Sequence, residues 1–332
     1  MIAHAPDGPP CAARREVAVT FDDLPVVSVT RWDVASHRAI TTRLLESVAA
    51  HDVPAVGFVN EEYLHEDGVA DPRRVALLRQ WLDAGLELGN HTFAHLDLNA
   101  TPVERYEDDV VRGEPVTRAL LDARGMTLRY FRHPYLHTGA DLTVKRRLEK
   151  FLAGRGYRIA PVTVTTEDYR FATAYDLATE RGDHATARRV ADAYVPYVES
   201  QFEYFEGLSR RLLGHEVPQV LLLHANSINA ERFDEMARML ERRGYSFVTL
   251  EHALADEAHA APDDYASLAG VSWLERWALN QGRSGEFLWG EPATPRFVRV
   301  QGGEGMEGRL VRWMTRIHRA RRRWLAPRAV AA

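Results

Sequence analysis

Cysteine is nearly absent: among 332 residues there is only Cys11. This excludes an internal disulfide framework and is compatible with a reducing compartment. Lysine is almost as scarce, since of 42 basic residues only Lys145 and Lys150 are lysines. No apolar stretch reaches the length of a membrane span, and Met1 to Arg15, rich in Pro, Ala and Gly, lacks the apolar run of a signal peptide. Cytoplasmic residence is therefore the expectation. There is no internal repeat and no glycine-rich phosphate loop. The net charge of −5 is unevenly spread, with basic residues concentrated in the last two dozen positions, so the body is acidic and nucleic-acid binding by it is not indicated.

A chain of this length with 45% hydrophobic residues buries one sizeable core and carries at most a small appendage. Residues 1–14 read as a disordered leader. From there, short apolar runs alternate with helical patterns. Strands are expected at Val17 to Phe21, Pro54 to Val59, Leu86 to Leu88, Leu128 to Phe131, Arg158 to Val164, Val220 to Leu223 and Ser246 to Leu250. Helices are expected at Ser36 to Ala50 with Ser36 as N-cap, from Asp71 and Pro72 to about Gly85, at Val103 to Ala123, Asp141 to Leu152 and Ala230 to Arg243. Such alternation argues for a parallel α/β fold. Polar clusters follow five of the apolar runs: Asp22 and Asp23, His91 and His95, Arg132 to Tyr135, Asp168 and Tyr169, and His224. Convergence from that many strand ends suggests a barrel mouth rather than one switch point of an open sheet.

Residues 171–216 interrupt the rhythm with two expected helices, Ala185 to Tyr194 and Tyr197 to Leu213, an insertion placed to fold over the mouth. Its aromatic residues Tyr194, Tyr197, Phe202, Tyr204 and Phe205 read first as helix-packing core and second as a sugar-stacking platform. Beyond residue 256 the character changes. Ser272 to Leu279 has a Trp-rich helical pattern, and 310–325 is basic and amphipathic, with Trp313, Met314, Ile317 and Trp324. We read that tail as a helix docked by its apolar side, with peripheral contact to a membrane or a lipid-linked substrate as the second reading.

His91 and His95 share one face if the chain makes a helical turn there, and with the carboxylate of Asp23 they form a ligand set for a borderline divalent metal that leaves positions open for water and substrate. His133 and His137 repeat the four-residue spacing, but Pro134 between them disfavours the turn, so they read as substrate contacts and not a second metal site.

Five segments together resemble the NodB-homology polysaccharide deacetylases, carbohydrate esterase family 4. Thr20-Phe21-Asp22-Asp23 matches the first motif and His91 to His95 the second. Arg132-His133-Pro134-Tyr135 matches the third, Thr165 to Tyr169 stands in the place of the fourth, and Leu222-Leu223-His224 matches the fifth. Thr165 replaces the first Asp of the fourth motif and Tyr169 its Trp; Asp168 is kept.

The resemblance implies a distorted (β/α) barrel at 15–256, with the helical insertion inside it and a C-terminal extension at 257–332. It also implies metal-dependent hydrolysis of an acetyl group on an amino sugar, or sometimes on an O-acetylated sugar. By that analogy Asp23, His91 and His95 hold zinc, or another transition metal such as cobalt or nickel, with Asp22 as general base and His224 as general acid. Arg132 orients Asp22, Asp168 orients His224, and Tyr135 lends its backbone N–H to the oxyanion. The expected partner is an acetylated carbohydrate or a sugar-containing small molecule. Other classes remain open: a silent sugar-binding module, or a non-haem iron oxygenase, which shares the two-His-one-carboxylate set but leaves Arg132, Asp168 and His224 without a role.

Overall fold

The computed structural model describes residues 15–302, so Cys11, the leader and the basic 310–325 segment lie outside the described residues. Strand β1 (Arg15–Leu24) is the longest and is buried from Val17 onward, as expected of a parallel strand covered on both faces. It pairs in parallel with β2 (Val56–Val59) at its carboxyl end and with β8 (Gln219–His224) along Val17 to Asp22. Its first residues pair with β9 (Tyr245–Phe247). The sheet continues outward from β2 through β5 (Glu87–Asn90) and β6 (Tyr130–Phe131) to β7 (Arg158–Ile159). A small antiparallel hairpin, β3 (His65–Glu66) and β4 (Val69–Ala70), stands apart.

The expected strand at 158–164 is divided between two neighbours. Ala160 N–H donates to Phe131 O at 2.8 Å, whereas Val164 N–H donates to Val220 O and Leu222 N–H to Val164 O, each at 3.1 Å. Pro161, which has no N–H to give a ladder, sits between the two halves. This one segment therefore joins β6 to β8 and closes the sheet into a distorted (β/α) barrel.

The helices are α1 (Val34–Ala50), α2 (Pro72–Asp83), α3 (Val103–Arg112), α4 (Pro115–Asp122), α5 (Leu142–Gly154), α6 (Asp168–Glu180), α7 (His184–Leu213) and α8 (Ser227–Arg242), then the short α9 (Leu250–Ala253), α10 (Trp273–Asn280) and α11 (Arg296–Gln301). Asp71 caps α2 with Pro72 in its first turn, as expected. Asp33, and not Ser36, caps α1: its carboxylate accepts the Ser36 N–H at 2.8 Å.

The single helix expected over 103–123 is two, broken between Gly113 and Pro115. A Cβ at Gly113 would stand 2.6 Å from the Thr92 carbonyl carbon, so the break lets α3 end directly against the loop that carries the histidines.

Conversely, the two helices expected around Pro196 are one, α7, which runs 30 residues through that proline. Interior proline costs about 3 kcal/mol. It is tolerated here because Val190, Tyr194, Val198, Phe202 and Phe205 form one buried stripe across it. Tyr194, Tyr197, Phe202, Tyr204 and Phe205 are all buried in the main core, and α7 packs against α6 and α8. The insertion is thus part of the outer helical layer, with its aromatic side turned inward and not offered as a sugar platform. Trp273, Leu274, Trp277 and Val298 belong to that same core, so the described part of the extension is built onto the barrel.

Candidate active site

Two consecutive acids end β1, and they diverge because Asp23 adopts a left-handed backbone, φ 63°. Asp22 stays in register, directly opposite His224 of β8. Asp23 instead turns to the histidines: its Oδ1 lies 3.6 Å from His91 Nε2 and 3.5 Å from His95 Nε2.

The histidines do not share a helical turn. His91 directly follows β5, and positive φ at Thr92 (67°) and His95 (51°) curls the chain back on itself. That irregular loop is fixed by hydrogen bonds. Asn90 Oδ1 accepts Thr92 N–H at 2.6 Å, Asn60 Nδ2 donates to His91 O at 2.6 Å, and Asp109 of α3 accepts Phe93 N–H through its carbonyl and Ala94 N–H through its carboxylate.

One ligand atom from each of Asp23, His91 and His95 falls within 4.8 Å of the others. Metal bonds of about 2.0–2.1 Å at tetrahedral angles would separate ligand atoms by about 3.3 Å, close to the observed spacing. Asp23 Oδ1 is buried and accepts no hydrogen bond, a costly arrangement for a carboxylate unless a cation completes it. His91 Nδ1 lies 2.8 Å from the Arg132 carbonyl. A carbonyl only accepts, so Nδ1 carries the proton and Nε2 presents a lone pair toward Asp23. Burial also holds the His91 ring far below its ordinary pKa, hence neutral and able to ligate. The residues present fit a divalent ion.

Beside this group, Asp22 Oδ2 is 3.8 Å from His91 Nε2. Burial pushes the Asp22 carboxyl up to about 6, against the opposing pull of Arg132. Arg132 is wholly buried: its Nη1 is 3.4 Å from both Asp22 oxygens, its Nη2 donates to Thr20 Oγ1 at 3.0 Å, and its guanidinium lies 4.6 Å from the Phe58 ring centroid. Thr20 Oγ1 itself donates to Leu221 O at 2.7 Å, which turns its lone pairs to the guanidinium, so the Thr of the first motif orients the arginine.

On the opposite wall, His224 Nδ1 meets Asp168 Oδ1 at 2.7 Å. Burial alone would lower the His224 pKa, but the Asp168 carboxylate outweighs it and raises it to about 10. Asp168 itself is at the first residue of α6. Its Oδ2 accepts from His224 N–H, Asn226 Nδ2 and Asn229 Nδ2 at 2.8, 3.0 and 2.6 Å. Tyr194 of α7 donates to Asn229 Oδ1 at 2.6 Å. Tyr169 stands edge-on to His224 with centroids 6.2 Å apart.

Residues 10–151 match the family model for polysaccharide deacetylase. A chitin deacetylase from Colletotrichum lindemuthianum is 25% identical over 259 residues, covering 77% of this chain and 84% of the relative. A peptidoglycan-N-acetylglucosamine deacetylase from Bacillus cereus is 27% identical over 133 residues, 40% of each chain. The matched stretch belongs to the polysaccharide deacetylases. Among solved structures, a family 4 carbohydrate esterase from Streptomyces lividans in complex with acetate aligns over 72% of this chain and 95% of its own, with 20% identity and a TM-score of 0.45. A family 4 pseudoenzyme from Bacillus anthracis aligns over 74% and 66%, with 18% identity and a TM-score of 0.46.

All eight residues singled out from sequence lie at the carboxyl ends of strands β1 and β8, in the segments that follow β5 and β6, or at the start of α6. Tyr135 has more contact than its backbone role required. Its ring meets His95 edge-on at 4.5 Å between centroids, so the side chain touches an expected metal ligand. His133 is buried against Phe131, with Arg276, Lys145 and Arg132 as neighbouring cations. His137 is half-buried and held by Asp97 at 2.7 Å. Sequence reasoning missed Asn226 and Asn229, although a helix N-cap two residues after the fifth motif, Asn226 accepting Asn229 N–H, was a readable signal.

Proposed function

We propose that this chain is a metal-dependent deacetylase that removes an N-acetyl group from a carbohydrate or sugar-containing molecule. The observation carrying the reading is the pairing of Asp22 with His224 across β1 and β8, beside the convergent Asp23, His91 and His95. Those three would hold the ion, with zinc first and cobalt or nickel as alternatives. When bound, it supplies Lewis acidity toward water and the acetyl oxygen.

The remaining work falls to the chain. Asp22, kept ionised and oriented by Arg132, takes the proton of the attacking water. Tyr135 N–H donates to the oxygen that gains negative charge. His224, kept cationic by Asp168, gives its Nε2 proton to the departing nitrogen. Base and acid are thereby set apart in pKa, about 6 against about 10, so that at neutral pH one is ionised and the other protonated. The presence of every one of these groups supports turnover over a silent sugar-binding role.

The test is acetate release from N-acetyl and O-acetyl sugars by metal-stripped and zinc-restored protein, with Asp22→Asn as control. Release only by restored wild type, and from N-acetyl substrates, upholds the reading. Release restricted to O-acetyl sugars replaces it with the esterase alternative, and zinc binding without release from any substrate points to the binding module.

A further inference from the structure

The loop after β6 contains an unusual backbone: two successive non-glycine residues, Tyr135 at φ 58° and Leu136 at φ 54°, are left-handed. Each such residue costs on the order of 1–3 kcal/mol and persists only where its surroundings enforce it. The loop's own bonds are modest, Leu136 N–H to His133 O and His137 N–H to Pro134 O, each 3.1 Å. The stronger restraint comes from far along the chain.

Arg276 of α10 is fully buried beneath this loop. Its Nη2 donates to Leu136 O, its Nη1 donates to Thr138 Oγ1 at 2.6 Å, and its Nε donates to Val271 O at 3.1 Å. Its guanidinium lies 4.1 Å from the Trp273 ring centroid and 5.2 Å from that of Tyr265, with Asp263 at 3.7 Å. The fork therefore grips both ends of the turn that follows Tyr135, from a rigid seat. α10 is itself anchored, by a Ser272–Glu275 capping box and by Trp273 N–H donating to Val162 O at 2.6 Å. From the same segment Gly270 lies directly on the Tyr135 carbonyl, where a Cβ would overlap the oxygen.

We propose that Arg276 is a positioning residue for deacetylation, clamping the left-handed Tyr135–Leu136 turn so that the Tyr135 N–H and ring keep their place beside His95. The described part of the C-terminal extension is then a working part of the active site. The inference rests on the oxyanion role given to Tyr135 above.

The experiment compares full-length wild type with Arg276→Ala, Arg276→Lys and Gly270→Ala through three readouts. Amide hydrogen exchange of the 132–140 peptide in metal-free protein reports the loop alone, and acetate titration of the cobalt-loaded protein, followed in the visible spectrum, reports the oxyanion site without turnover. Acetate release from an N-acetylglucosamine oligomer gives kcat and KM.

Arg276→Ala is expected to exchange at least about 10-fold faster in that peptide, bind cobalt normally, bind acetate about 10-fold more weakly and lose about 100-fold in kcat with KM within about 2-fold. Added guanidinium is expected to restore part of kcat. Gly270→Ala should act likewise from the other side of the loop, and Arg276→Lys, which keeps charge without the fork, should fall between. Unchanged exchange and acetate affinity in both Arg276→Ala and Gly270→Ala would overturn the proposal. If Arg276→Ala does not fold, Gly270→Ala and Arg276→Lys decide. If wild type releases no acetate while exchange and acetate binding still separate the variants, the clamp stands and the substrate reading falls.

Discussion

On the metal side of the mouth, Asp23 Oδ1 is buried without a hydrogen bond and two imidazoles converge on it. On the acid side, Asp168 accepts four hydrogen bonds, from the ring and N–H of His224 and from Asn226 and Asn229. The first half calls for a cation from outside the chain, whereas the second is finished by the protein itself. One side is therefore expected to respond to metal, and the other to pH and to side-chain truncation.

The largest effect should come from the metal side. Chelation or His91→Ala is expected to abolish acetate release, with zinc stoichiometry falling from one to near zero in an assay of bound metal. Asp22→Asn should keep the ion and still lose about 10²–10⁴ in kcat. A variant that loses both together would show that the base also helps to bind.

Next in size is the pH response. Activity should fall as pH drops through the Asp22 pKa, at or below about 6 because a bound dication lowers it, and should fall again as pH rises through about 10, where His224 loses its proton. Asp168→Asn removes the anion that raises His224, so the alkaline limb of kcat/KM should move to lower pH while zinc affinity stays put. An unmoved limb would assign the acid to another group.

Smaller again is the stability linkage. Zinc at about a hundred times its Kd should add about 2.7 kcal/mol and raise Tm by roughly 4 °C. Asp23→Asn should erase that shift while leaving metal-free Tm equal or higher, since it removes an uncompensated buried charge. The smallest effect is expected on the finished side: Asn229→Ala, read by thermal unfolding and kcat, should cost about 1–3 kcal/mol and less than 10-fold in rate, because Asp168 keeps its other partners.

The chemistry was legible in residue types and in their placement after apolar runs, which is why Asp22, Asp23, His91, His95, Arg132, Asp168 and His224 were found together. The shape of the loops was not. A four-residue histidine spacing fits a helical turn, yet the adjacent Asn90, with Asn60 and Asp109 from elsewhere in the chain, holds a left-handed path instead. Likewise Pro196 reads locally as a helix end, and only the aromatic stripe buried on both sides of it keeps α7 continuous. The split of 158–164 between β6 and β8 depends on where the barrel must close, a property of the whole sheet.

The β1–β8 register carries a consequence for how this chain can change over generations. Asp22 meets His224 only because six successive pairs, beginning with Val17 and Gln219, are counted out without a gap. A one-codon shift between positions 17 and 22 would swap the faces of the shifted side chains, putting Asp23 opposite the histidine after a deletion and Phe21 there after an insertion. Composition and hydrophobicity would scarcely alter, yet function would vanish. Surface turns such as the one around Gly182 should absorb the same lesion silently, so a library of single-residue insertions should show a sharp trough of lost activity along β1 and β8, bordered by tolerant loops.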